Sequence, residues 1–346
     1  MEGRSHRDLP KVSIIVPVRN CGSTIDELLT SLMEVDYPKD KMEIIVVDGG
    51  SSDDTVKRAL KYPVKLLFEP GKGPNYARRV AIEASSGDIL VFTDGDCIVP
   101  KHWIKSIVKN FEAPFIGCVG GSVFADEKLK GNLFVDYADA SIMRIMPFAA
   151  KREILDQPKV FKHLAFCNMA IRREAINKIG GLDVKMKTFE DVDTVQSICE
   201  VGYKMVFDPE VYVWHKHRQT LRGILKQTYS YGKGGPMFRR KHPKSKIAKF
   251  YRMGLMAYHT FSIIISLIFA LALIKGSNLL LLIGLLPFIM GYAAAIVYYV
   301  HKGNSLLRSL LYPAIDFMRI IAFCLGDLVG TIDMIIEERT DSKVFH

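Results

Sequence analysis

The chain has 346 residues, 24% of them charged, and 47 Lys and Arg against 37 Asp and Glu give a net charge of +10. That length leaves room for one large domain of about 230 residues plus an appendage, with a core that needs no disulfides. Six scattered cysteines with no CxxC pair argue against a disulfide framework or a cysteine zinc site, and they read as reduced thiols of a cytoplasmic domain. Residues 1–11 are polar and charged, so no secretory signal is expected there.

In chain order, Val12 to Val18 (VSIIVPV) is a β-branched apolar run that predicts a buried parallel strand. Ser23 to Met33 has helical spacing at Ile25, Leu28, Leu29 and Leu32, with Ser23-Thr24 placed to cap it. Glu43 to Val47 is a second strand ending at Asp48, and Asp53 to Leu60 a helix with acidic residues at its start, as the helix dipole favours. Val64 to Phe68 predicts a third strand and Asn75 to Ser85 a helix. Ile89 to Thr93 is a fourth strand, ending in Asp94-Gly95-Asp96. The alternation implies an α/β doubly wound, mostly parallel sheet, in which ligands bind beyond the carboxyl ends of the strands.

The polar residues with chemical potential fall at those ends. Asp48-Gly49-Gly50-Ser51-Ser52-Asp53 is a strand, a carboxylate, a glycine turn and a helix start with free N–H groups. Taken alone it reads first as a capped βα turn; the sharper reading is a nucleoside pocket in which Asp48 accepts hydrogen bonds from a base. Asp94 and Asp96 flank a glycine after an apolar strand, and two neighbouring carboxylates call for a partner such as a hard divalent cation. Further on, Glu190-Asp191-Val192-Asp193 opens a helix with three carboxylates in four residues, more than a dipole requires, and one of them is a candidate general base. Val211 to Trp214 reads as a strand delivering His215, a plausible metal contact or a structural histidine.

From Lys216 to Arg252 there are twelve Lys and Arg and no acid. The block sits just before the first long apolar run. That position fits anionic headgroups and the positive-inside rule better than nucleic acid, for which no recognition motif accompanies the charge. Ala257 to Ile274 and Ser277 to Val300 are each long enough to cross a hydrocarbon core about 30 Å thick, and Lys275-Gly276 allows only a tight hairpin between them. A third segment, Leu310 to Ile336, is apolar but carries Asp316, Arg319, Asp327 and Asp333. It is read as a third span packed on the hairpin, with an interfacial helix as the alternative. Asp316 and Arg319, three apart, are placed to pair.

Taken together, the motifs between Val12 and Gly232 resemble the family 2 glycosyltransferases, inverting enzymes with the GT-A nucleotide-sugar fold. They are Pro17-Val18-Arg19-Asn20, the Asp48…Ser51…Asp53…Thr55 turn, Ala77-Arg78, Asp94-Gly95-Asp96, Gly180-Gly181-Leu182-Asp183, Glu190-Asp191 and His215, in that order. The resemblance implies a GT-A domain over residues 1–232, to which charge and hydropathy add a basic juxtamembrane linker over 233–252, a transmembrane region over 253–336 and a polar tail over 337–346. It also implies donor contacts from Pro17, Val18, Arg19, Asn20, Asp48, Ser51, Lys72, Arg78, Asp94 and Gly95. Mg²⁺ or Mn²⁺ would be held by Asp96 and His215 with Asp94, while Asp191 would act as base beside Glu190. The expected partners are a UDP- or GDP-linked sugar, a polyprenyl-phosphate or other lipid-borne acceptor, and membrane lipids, but no nucleic acid. The expected setting is a multi-pass cell-membrane protein with its catalytic domain in the cytoplasm.

Processive relatives carry Q-x-x-R-W, whereas the corresponding stretch here is Gln227-Thr228-Tyr229-Ser230-Tyr231. That departure favours transfer of one sugar or a few over a polysaccharide synthase. The following Gly232-Lys233-Gly234-Gly235 reads as a mobile loop over the site or as a linker. A nucleotidyltransferase would place a glycine-rich phosphate loop after the first strand, and Arg19-Asn20-Cys21-Gly22 is a poor version of one. A nucleotide-binding membrane scaffold without catalysis would not need Asp94, Asp96, Asp191 and His215 together.

Overall fold

A computed structural model describes residues 8–144, 146–160 and 162–344, with backbone alone over 338–344. Residues 1–7 of the polar N-terminus and 345–346 of the expected tail lie outside the described residues. The chain forms two compact units, Met1–Gly131 with Ile145–His217, and Asn132–Arg144 with Arg218–His346.

In the first unit a nine-stranded mixed sheet runs in the order β3-β2-β1-β4-β8-β6-β9-β5, with β7 added beside β9. Four strands match the predicted runs: β1 (Val12–Val18), β2 (Met42–Asp48), β3 (Lys65–Phe68) and β4 (Ile89–Phe92). All three pairings among them are parallel. Beyond β4 the sheet changes character. β8 (Met169–Arg172) is antiparallel to both β4 and β6 (Ile116–Ala125), and β6 runs parallel to β9 (Lys204–His215). The short β5 (Cys97–Ile98) and β7 (Glu153–Leu155) pair antiparallel with β9. Parallel pairing thus holds among the front four strands and again between β6 and β9, with the antiparallel β8 between them.

Side-chain alternation divides the core between the two faces of the sheet. Ile14 and Val16 of β1 pack with Leu28 and Leu29 of α1 (Ile25–Met33), together with Trp103 and Ile107 of α4 (Trp103–Val108). Ile15 turns to the other side, into a cluster with Ala77 and Ala81 of α3 (Pro74–Glu83), Ile176 of α6 (Arg173–Lys178) and Val195 of α7 (Glu190–Glu200). α2 (Thr55–Ala59) follows the glycine turn after β2. Thr24 does not cap α1 with its side chain. Its hydroxyl instead donates to the carbonyl of Gly95 at 2.7 Å, tying the start of α1 to the turn after β4.

The second unit contains α5 (Leu133–Ala140) and four long helices: α8 (Leu221–Lys241), α9 (Lys246–Lys275), α10 (Asn278–His301) and α11 (Leu306–Val344). Among the described residues, α9 and α10 are the two helices long and apolar enough to cross a membrane, with mean hydropathies of 2.1 and 2.4. Asp316 of α11 accepts from Tyr137 at 2.6 Å, from Ser141 at 2.9 Å and from the hydroxyl of Tyr299. Arg319 donates to Tyr137, Ser141, the Met143 carbonyl and Thr228. These charges are thus satisfied inside the unit, with Asp316 and Arg319 themselves 4.0 Å apart.

Residues 233–252 are helical except for the short break between α8 and α9. α11 continues as helix through most of the expected polar tail. The run Gly232 to Gly235 is neither loop nor linker but lies inside α8. A Cβ on Gly232 would stand 2.2 Å from the Phe323 carbonyl oxygen, and one on Gly326 would stand 2.1 Å from that of Tyr229. Small residues here let two helix backbones touch.

Gly326→Ala is therefore expected to destabilise the second unit by about 1–3 kcal/mol through overpacking. Thermal unfolding in detergent tests this; an unchanged midpoint would mean that the helices separate at no cost.

Candidate active site at the carboxyl ends of the strands

β1, β2 and β4 end side by side, and the turns that follow them build the site in the first unit. Asp48 is buried at the end of β2 and accepts from the N–H groups of Gly50 and Ser51, both at 3.0 Å, and from the Ser51 hydroxyl. Ser51 in turn accepts from the Asn20 N–H at 2.9 Å, and the Asn20 side chain accepts from the Ser52 N–H at 2.8 Å. Asn20 adopts φ +54, a left-handed conformation that Asn tolerates better than most residues. Asp53 completes the latch, accepting from the Gly22 N–H at 2.9 Å and from Thr55. Those hydrogen bonds, the Thr55 hydroxyl first, hold its carboxyl below the usual range. The two turns named in the sequence are thus one hydrogen-bonded floor.

Gly95 must be glycine for the third turn to reach this floor. A Cβ there would lie 2.9 Å from Cys21 Sγ and 3.1 Å from Val18 Cγ1. The carboxylates on either side of it take different partners. Asp94 is held by Arg78 at 3.2 Å, whereas Asp96 Oδ1 lies 3.4 Å from His215 Nε2. β5 brings His215 there, since Cys97 and His215 are direct partners in the β5–β9 ladder. Asp96, Cys97 and His215 present ligand atoms within 4.8 Å of one another; Asp94 lies outside that group.

Arg78 is the hub. Its side chain is only 4% exposed and spans two motifs, with one terminal nitrogen 3.2 Å from Asp94 and the other 3.2 Å from Glu190. The guanidinium lies over the Phe166 ring at 4.1 Å from the centroid. The sequence suggests an arginine offering charge to donor phosphates, but here that charge is committed to two protein carboxylates. Lys72 is exposed, its ammonium 4.7 Å from the centre of the Tyr76 ring, and Arg19 is exposed as well. Pro17 is half-buried and Val18 buried beneath the turn.

Phe189, with φ +64, turns the chain so that α7 opens on Glu190 and Asp191. Burial pushes both carboxyls above their ordinary range. At Glu190 the neighbouring Asp191 adds to the rise, and at both residues the Arg78 charge opposes it. The Gly180 to Asp183 turn closes on the other end of this region, where the Asp183 carbonyl accepts from the Asn75 side chain at 2.7 Å at the start of α3.

Phe166 was not singled out by the sequence, because a lone aromatic in an irregular segment carries no local signal. The same holds for His217, whose Nδ1 lies 3.0 Å from that of His215. Cys97 had one cue, its place directly after Asp96, but the pairing that sets it opposite His215 is long-range.

Residues 13–180 match the family model described as glycosyl transferase family 2. The glycosyltransferase AglE of Haloferax volcanii is 29% identical over 232 residues, covering 65% of this chain and 73% of that protein. The pre-mycofactocin glycosyltransferase of Mycobacterium tuberculosis is 29% identical over 247 residues, and the match spans about half of that protein's length, 49%, and 70% of this chain. The solved mannosyltransferase PcManGT from Pyrobaculum calidifontis, in complex with GDP-Man and Mn²⁺, superposes with a TM-score of 0.64 at 22% identity, covering 94% of this chain and 88% of that one. At that identity the likeness is one of fold. With its motifs in order along a GT-A sheet, the chain carries a glycosyltransferase domain that matches family 2 over residues 13–180.

Proposed function

We propose that this glycosyltransferase moves a sugar from a UDP- or GDP-linked donor to a lipid-borne acceptor at a membrane, in a nonprocessive, inverting, metal-dependent single displacement. The observation that carries the reading is Arg78, which ties the donor-side carboxylate Asp94 to the acceptor-side pair Glu190 and Asp191. The Asp48–Ser51–Asn20 floor would seat the nucleoside, flanked by Pro17, Val18, Arg19 and Gly95. Lys72, exposed beside Tyr76, is free to approach the diphosphate.

The donor set suits a hard divalent ion. Asp96 and His215 offer oxygen and imidazole nitrogen to Mg²⁺ or Mn²⁺, whereas the Cys97 thiol is soft and lies 3.9 Å from the Cys167 carbonyl. Asp94, held by Arg78, would serve the ion's water shell or the ribose. Such an ion, when bound, neutralises charge on a departing nucleoside diphosphate. Asp191 would take the acceptor proton as oxygen attacks the anomeric carbon, with Glu190 shaping the acceptor side. A phosphate acceptor arrives ionised and depends less on the base. α9 and α10 support membrane anchoring, and with it a lipid acceptor.

The test is a donor screen with purified protein and a lipid extract, following labelled UDP- and GDP-sugars into the organic phase. Label should enter lipid with the native chain and not with Asp96→Ala; label found only in water-soluble product would reject the lipid acceptor. Asp191→Asn is expected to cut transfer to a hydroxyl acceptor by about 10²–10⁴-fold while donor binding persists. Transfer at near-native rate would remove Asp191 as the base.

Because the base must be ionised to accept a proton, the rate should fall as pH falls. The midpoint of that limb should lie above the ordinary carboxylate range, since burial raises Asp191. A limb at the ordinary position would assign it to another group. Arg78→Lys keeps the charge but cannot bridge two carboxylates, so turnover should drop about 100-fold with donor affinity nearly unchanged. An equal loss of donor affinity, read by calorimetry, would make Arg78 a phosphate ligand instead.

A further inference from the structure

α11 presents two unlike faces. One is locked to α8 at backbone contact: a Cβ on Gly330 would stand 2.3 Å from the Lys233 carbonyl oxygen, matching the approach already described at Gly326. On the same side Arg239 grips Asp327 at 2.6 and 3.1 Å, and Lys233 reaches Asp333 at 2.7 Å. The other face carries Phe317, Ile321, Leu325, Leu328, Ile332 and Ile336, each between 36% and 56% exposed. Steps of three and four residues place all six in one stripe at about 3.6 residues per turn.

α8 is the reverse. Arg222, Lys226 and Arg240 are exposed along one line of the helix, away from Gly235 and Arg239. A span over residues 317–336 would be about 30 Å long, enough to cross a bilayer. But α8 cannot be peeled from α11 without breaking the glycine contacts and two ion pairs. A crossing α11 would draw those cations into hydrocarbon, where charges are costly and normally face protein. Lying in the membrane plane avoids this: the stripe meets the acyl chains and α8 stays on the watery side. The neighbouring α9 and α10 supply continuity, since their apolar side chains are exposed in the same way.

We infer that α11 is a membrane-surface helix whose apolar stripe docks into the hydrocarbon boundary of the bilayer, so that the chain crosses twice and both its ends lie on one side. This rests on the reading of α9 and α10 as membrane spans. It replaces the third span expected from hydropathy.

Two measurements test it on the full chain. Carboxyl-terminal fusions in a bacterial host should give fluorescent GFP and inactive alkaline phosphatase; dark GFP with active phosphatase means three crossings and overturns the inference. Resistance of the native chain to alkaline extraction is the control for membrane embedding, and release would overturn the underlying reading of α9 and α10 along with it. For depth, tryptophan is placed singly at Phe317, Leu325 and Ile336 in brominated-lipid nanodiscs, against the native Trp103 and Trp214 background. All three should be quenched most by bromines near the headgroup. Deep quenching at Leu325 with shallow quenching at the two ends would mean a span. No quenching at any of the three would mean that protein, such as a second copy of the chain, covers the stripe.

Discussion

A guanidinium buried between two carboxylates from distant parts of the chain holds the site together. Arg78 comes from α3, Asp94 from the turn after β4 and Glu190 from the start of α7, and the arginine is almost fully enclosed. A charge in that position is tolerable only because both partners and the Phe166 face compensate its lost hydration. Removing one partner from such a pair costs about 3–5 kcal/mol, since an uncompensated charge stays behind. The turn after β4 and the acid pair are thus tied to each other by one buried guanidinium.

The parallel half of the sheet was legible because it is built from local signals. Val12 to Val18 and Ile89 to Phe92 are apolar runs that end abruptly in polar turn residues, and strand ends are where such folds expose function. Asp48, Asp94, Asp96 and His215 could be named for that reason. Arg78 was named too, as a donor contact, but its pairing with Glu190 depends on α7 reaching α3 from 112 residues away. Nothing in Ala77-Arg78 itself records that approach. Phe166 and His217 were invisible on the same grounds.

The second unit shows how composition misleads when a tertiary contact reverses a propensity. Gly232 and Gly235 inside a helix cost about 1 kcal/mol each relative to alanine, so the run reads as a loop. The penalty is offset here by the close approach of α11, which has its own glycines at 326 and 330 to meet it. Likewise residues 132–144 belong with the helical unit rather than with the sheet domain around them in sequence. Asn132 caps α5 with its side chain, but a cap marks a helix start and says nothing about which core the helix joins.

The poise of the acid pair follows from opposing terms of similar origin. Asp191 stands at the amino end of α7, where free N–H groups and the dipole favour the ionised form, and its Oδ1 accepts from the Val192 N–H at 2.7 Å. Burial works the other way and is the largest influence. Burial alone would favour the protonated carboxyl. The N–H groups and Arg78 alone would favour the ionised one. A base is most effective when its pKa lies near the working pH. The arginine that fixes the geometry therefore also limits the rise in basicity, and position and proton affinity at this site have a common cause.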